Sequence, residues 1–221
     1  MKPRSLLSAV LTAGALSAAF LFVTGSMVGN SVAVAEGELA DMPPPPVDRA
    51  PLALDAPARP PGELVVNGSF ESPALSAGGW DVFPTIAGWR TARGPGIEIQ
   101  RSAAGAPAVG KQLVELDSHA SSSMYQILAT RQGARYRLTY RVSPRPGTAP
   151  EDNQLEVRWN GVVVDRFVAA ATVDQTRWET RTVVVTGRGR EARLELTDVS
   201  PSNSLGAYVD DVSVRLEKAS R

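Results

Sequence analysis

The chain of 221 residues contains no cysteine, a single histidine, and aromatic residues at only 6%. The missing cysteines exclude disulfides, thiolate-bound zinc and a thiol nucleophile, and leave no acylation site of the bacterial lipoprotein type. A lone histidine leaves little material for histidine-based metal or triad chemistry. Charge of either sign is not in surplus, with 23 basic and 23 acidic residues. Without Lys2 and Arg4 of the leader the balance is slightly acidic, so the basic footprint of a nucleic-acid binder is missing. From Glu63 onward no stretch sustains a helical period.

Two segments precede that region. Lys2 and Arg4 lead into an apolar run from Leu6 to about Val28, and Ala33, Val34, Ala35 before Glu36 has the small-residue form of a signal-peptidase site. Residues 1–35 are therefore expected to be a signal peptide, and the protein to be secreted. The run also approaches the roughly 20 residues that span a bilayer, so an uncleaved anchor is the alternative. Residues 36–62 are rich in Pro and Ala, with four prolines at 43–46 and a pair at 60–61. Proline removes donors and fixes φ, which predicts a semi-rigid extended linker.

Residues 63–217 read as one all-β domain, an antiparallel two-sheet sandwich, followed by a tail at 218–221. About 155 residues suffice for a self-supporting core. Tyr136, Leu138, Tyr140 and Val142 alternate with Arg135, Arg137, Thr139 and Arg141, giving one apolar and one wet face. Leu155, Val157 and Trp159 alternate in the same way, which assigns Trp159 to the core. Asn160-Gly161 then separates this strand from Val162–Val164, the pattern of a two-residue hairpin. Further strands are expected at 64–66, 97–101, 112–116, 123–128, 178–186, 192–197 and 207–216. Trp80 and Trp178 are expected to pack.

The closing strand places Asp210 in the same parity as Tyr208, Val212 and Val214, toward the core unless a bulge intervenes. A buried carboxylate is costly unless it is paired or bound to metal. Glu71 follows a turn and supplies a second carboxylate, and hard oxygen donors of this kind suit calcium. Aspartates near turns also cap backbone groups, which needs no metal.

The framing "NGSFE" near the start and "YVDDVSV" at the end resembles galactose-binding-like jelly rolls, especially xylan- and glucan-binding carbohydrate-binding modules. The run from Leu64 to Leu216, with "LVVNGSFESP", "IAGWR", "GIEIQR", "KQLVELDSHASSSMYQ", "YRLTYRVSPRPG", "NQLEVRWNG" and "SLGAYVDDVSV", is similar to a bacterial relative of the plant cell-wall proteins grouped as domain of unknown function 642. The resemblance implies a structural calcium between the chain ends, held by Glu71, by Asp210 or Asp211, and by the carbonyl of Ser69. The family's middle ligand has no clear counterpart.

Sugar sites combine aromatic faces with planar polar groups that bond hydroxyls. The candidates are Trp89, Glu98, Gln100, Asp117, His119, Tyr125 and Arg145. Glu98 and Gln100 share one face of a short strand, where a simply solvated face is the alternative. Arg145 lies between Pro144 and Pro146, placed to grip an acidic sugar or to brace a loop. The expected function is an exported, non-catalytic module that binds cell-wall or extracellular polysaccharide. Two competitors remain: an adhesive or matrix protein whose partner is a protein, and a glycoside hydrolase pairing Glu98 with Glu115 or Asp117.

Overall fold

A computed structural model describes residues 58–218. The expected signal peptide, most of the linker and the last three residues of the tail lie outside the described residues. Among the described residues no helix is long and apolar enough to cross a membrane. Among the described residues twelve strands form two six-stranded antiparallel sheets, so the expected sandwich is the observed architecture.

The strands are β1 (Trp80–Phe83), β2 (Thr85–Ile86), β3 (Trp89–Arg93), β4 (Ile97–Gln100), β5 (Leu113–Glu115), β6 (Ser123–Ala129), β7 (Arg135–Ser143), β8 (Gln154–Trp159), β9 (Val162–Val168), β10 (Glu179–Thr186), β11 (Glu191–Asp198) and β12 (Tyr208–Leu216). The first sheet has the order β1-β4-β5-β12-β7-β10, and the second β2-β3-β6-β11-β8-β9. Many neighbours in each sheet are distant in sequence, because the chain crosses repeatedly from one sheet to the other.

Alternation explains the layering. Tyr136, Leu138, Tyr140 and Val142 of β7 are buried together with Leu155, Val157 and Trp159 of β8, the two rows meeting in one core cluster. Each such side chain removed from water contributes roughly 1.5–3 kcal/mol. Trp159 satisfies its indole by donating to Thr186 O at 2.9 Å, as a buried tryptophan must. The Asn160-Gly161 turn joins β8 and β9, with both residues at positive φ, 51° and 79°, the backbone that a twisted two-residue hairpin demands.

The opening segment differs from expectation. Leu64–Val66 is no strand; Glu63 forms one bridge to Arg215, and Leu64 N donates to Val214 O at 3.0 Å. Val66 bonds through both its N–H and its carbonyl to the side chain of Gln126. Positive φ at Asn67 and Phe70 curls the chain away before a ladder can grow. The opening and closing segments of the described domain nevertheless lie side by side.

The closing strand carries a bulge between Asp210 and Ser213. Val209 pairs with Val114 and Val142, whose side chains belong to the core, whereas Tyr208 pairs with Glu115 and Ser143 and Asp210 with Arg141. The bulge resets the parity, returning Val212 and Val214 to the core. Asp210 therefore stands on the outer face of the first sheet, opposite the side that simple alternation indicates, and is buried there by loop rather than by core.

Candidate functional site

The outer face of the first sheet carries a transverse row of polar residues. Register aligns Glu98 of β4 with Glu115 of β5, Glu115 with Tyr208 of β12, and Tyr208 with Ser143 of β7. Trp80 of β1 stands opposite Gln100 in the adjoining row. An outer face of this kind is normally wet, yet Glu98 is 5%, Gln100 2% and Glu115 0% exposed. Loops cover it: residues 101–112 after β4, 144–153 after β7 and 199–207 before β12. Glycine permits the closest approaches, since a Cβ on Gly105 would meet the Tyr208 ring at 2.6 Å.

Gln100 is the hub of the row. Its Nε2 donates to Glu98 Oε1 at 2.8 Å and to Glu115 Oε2 at 2.5 Å. The Arg145 guanidinium pairs with Glu115 Oε2, and Gly206 N–H donates to Glu115 Oε1 at 2.8 Å. Arg145 is held in place by its loop: its own N–H donates to Asn153 Oδ1 at 2.7 Å, and Asn153 in turn donates to Thr148 Oγ1 and Ala149 O. Flanking prolines stiffen the same segment.

Burial raises Glu115 to about 8, and the neighbouring Glu98 adds to the rise, while Arg145 and the Gly206 N–H oppose it. Burial likewise raises Glu98 against the stabilising Gln100 and Arg145. Burial works against the charge on Arg145, but Glu115 and Tyr208 more than restore it. Two carboxylates that share one amide donor and one guanidinium hold a proton more tightly than either would alone.

Beside the row opens a cavity of about 510 Å³ lined by Gly78, Trp80, Glu98, Gln100, Ala103, Ala104, Ser118, His119, Arg145 and Ser204. That size falls within the range of small-ligand sites. Trp80 is 51% exposed and meets the His119 ring edge-on, with centroids 6.0 Å apart. Gln100 Oε1, Asp117 Oδ1 and Ser118 Oγ are buried with no hydrogen-bond partner among the described residues. Such groups call for a ligand or ordered water.

Of the sequence candidates, Glu98, Gln100, His119 and Arg145 line this cavity, and Asp117 adjoins it, accepting from Asn203 N at 3.0 Å. Trp89 and Tyr125 lie elsewhere. Trp89 is fully buried in the second sheet against Phe70, its indole donating to Asn67 O. Tyr125 sits on the second sheet under the Arg193 guanidinium, 3.9 Å from the ring centroid. Trp80, expected to pack, is the ring at the cavity instead. Its exposure follows from pairing with Gln100 on the outer face, a register that the irregular sequence around β1 does not announce.

The four candidate metal residues occupy the junction of the chain ends. Glu71 Oε1 accepts the N–H groups of Lys111 (2.7 Å) and Gln112 (3.0 Å), and Asp210 Oδ2 accepts those of Ala108 (2.8 Å) and Val109 (2.9 Å). One loop thus holds both carboxylates. Burial lifts Asp210 to about 7 despite these donors. Asp211, at positive φ, turns to Arg141 at 3.1 Å. Ser69 lies in the curled segment before Glu71. Among the described residues no group of three or more His, Asp or Glu side chains is arranged to hold a metal. A cation here would take Glu71, Asp210 and backbone carbonyls, a donor set that suits a hard ion.

Against this geometry the comparisons with known proteins are informative about fold. No family model matches the chain. A multifunctional-autoprocessing repeats-in-toxin protein of Vibrio cholerae is 26% identical over 157 residues, covering 71% of this chain and 3% of that protein, and its Vibrio vulnificus counterpart is 24% identical over 159 residues. The chain thus spans about 3% of the length of these curated relatives. Among solved structures, a cyclase from Fischerella sp. TAU aligns with a TM-score of 0.52 at 16% identity, covering 72% of this chain and 98% of that one. A family 35 carbohydrate binding module from Clostridium thermocellum aligns at 0.38 and 14% identity, over 61% and 90%. The cyclase likeness shows a common fold. The second is too distant to carry an argument.

Proposed function

We propose that the domain is a non-catalytic carbohydrate-binding module whose site is the cavity between Trp80 and the Glu98-Gln100-Arg145 floor. One observation carries the reading: an exposed indole stands beside buried, rigidly held planar polar groups, with Gln100 Oε1 and the lining Ser118 Oγ lacking a partner among the described residues. The ring offers a face to the apolar side of a pyranose, and the amide, carboxylate and serine groups offer bonds to its hydroxyls. The leader, read as an export signal, supports a ligand met at the cell surface or beyond, such as polysaccharide.

The same geometry argues against cleavage. Glu98 and Glu115 are direct cross-strand partners joined by a single amide, so they share one floor rather than flanking a bond from opposite sides. A structural calcium at Glu71 and Asp210, with the Ser69 carbonyl, completes the proposal and would lock the two chain ends to the 108–112 loop.

Retention on insoluble polysaccharides and on glycan arrays, with calcium present, tests the reading. Binding by the native domain and its loss in Trp80→Ala, with an unchanged melting temperature, is the expected result. No retention above Trp80→Ala on any glycan would refute it.

A further inference from the structure

The charges around the cavity are unequal. Glu98, Glu115 and Asp117 face it or adjoin it with one guanidinium, Arg145, that is already committed to Glu115. Among the described residues the only hydrogen bond to the Glu98 carboxylate comes from the Gln100 amide, through Oε1. His119 stands across the cavity against Trp80, and Tyr208 lies behind Glu115. Arg145 is thus a brace, and among the described residues at the cavity only His119, whose charge acts on Glu98, remains to offset Glu98 and Asp117, so an anionic sugar would meet a carboxylate surplus. A charged amine meets the opposite situation, namely an under-compensated carboxylate with an indole face beside it. That pairing of carboxylate and aromatic face attracts an ammonium.

We propose that the cavity selects glycans bearing a free amino group, the ammonium seating on Glu98 beside Trp80, and that it rejects uronic acids. This rests on the carbohydrate-binding reading and narrows it. The ammonium takes the place of the proton that burial holds on the Glu98–Glu115 pair. Binding of an amino sugar therefore releases a proton to solvent, whereas binding of a neutral sugar does not.

Isothermal titration at about pH 6 compares a β-1,4-linked glucosamine oligomer, its fully N-acetylated form and a galacturonic acid oligomer of the same length. The amine form is expected to bind about tenfold more tightly than the acetylated form, the gain of one charge-assisted bond, and the uronate not to bind measurably. Repeating the amine titration in buffers of different ionisation enthalpy is expected to reveal proton release. Glu98→Gln, which keeps the shape, is expected to bring the amine-to-acetyl ratio to about one. Equal or tighter binding of the acetylated or uronate oligomer overturns this inference and leaves the glycan reading standing. Binding of none of the three also overturns this inference, and the glycan reading falls with it only if no glycan on the array is retained above Trp80→Ala.

Discussion

Raising the pH should destabilise this domain through Glu115, in the range where many proteins are level. The side chain is fully buried and its folded pKa is raised to about 8 from an ordinary 4.5. A carboxyl group that holds its proton more tightly when folded stabilises the fold in acid, so stability falls as pH rises from about 4.5 towards 8. At about 1.4 kcal/mol per pH unit, the loss from pH 5 to pH 7.5 is about 3 kcal/mol. For a domain of this size that is roughly 6–12 °C in melting temperature. Glu98, Asp198 and Asp210 are raised in the same direction by burial, so the wild-type slope alone does not isolate Glu115. Glu115→Gln removes the titration of the Glu115–Glu98 pair at its more buried member, while the amide oxygen still accepts from Gly206. Urea unfolding followed by tryptophan fluorescence at several pH values gives both profiles. The difference between them should span about 3 kcal/mol over that window. Parallel profiles for the two proteins would refute the reasoning, as would a wild-type stability that climbs from pH 5 to 7.5.

Three further outcomes follow from particular contacts. Gly68→Ala places a Cβ 1.9 Å from Val212 O, a backbone atom that cannot step aside, so a loss of about 2–3 kcal/mol is expected in denaturant melts. Gly161→Ala has open space around it and only a positive φ to contend with, and the same melts should show about 1 kcal/mol. If calcium binds at the chain ends, adding it to chelator-treated protein raises the melting temperature and Glu71→Ala abolishes the rise; a melting temperature indifferent to chelator would remove the cation from the account.

The parts of the fold legible in the sequence are those where one physical signal acts alone. β7 and β8 alternate cleanly because one face meets the core and the other meets water, and Asn160-Gly161 announces its turn because few other pairs accept two positive φ values. β1 to β3 are short, interrupted by Pro84, and stabilised by long-range pairing that local pattern does not record. The site was half visible: residue type brought Glu98, Gln100, His119 and Arg145 forward, but nothing local shows that loops bury their face. Gly105 and Gly206, which allow those loops to approach Tyr208 and Asp117, are the faint signal that was present. Trp89 and Trp80 carry the same ring, and only strand register decides which one reaches solvent. Asp210 was misdirected by a bulge, which two adjacent aspartates before a valine do not reveal.

An NMR titration of the isotopically labelled domain with a β-1,4-linked oligosaccharide tests the assigned site most directly. The account predicts saturable shifts at the Trp80 indole N–H and in the loops carrying Ser118, His119, Arg145 and Ser204. Saturable shifts confined to the β9–β10 edge or to the second sheet around Tyr125, with Trp80 unmoved, would contradict it.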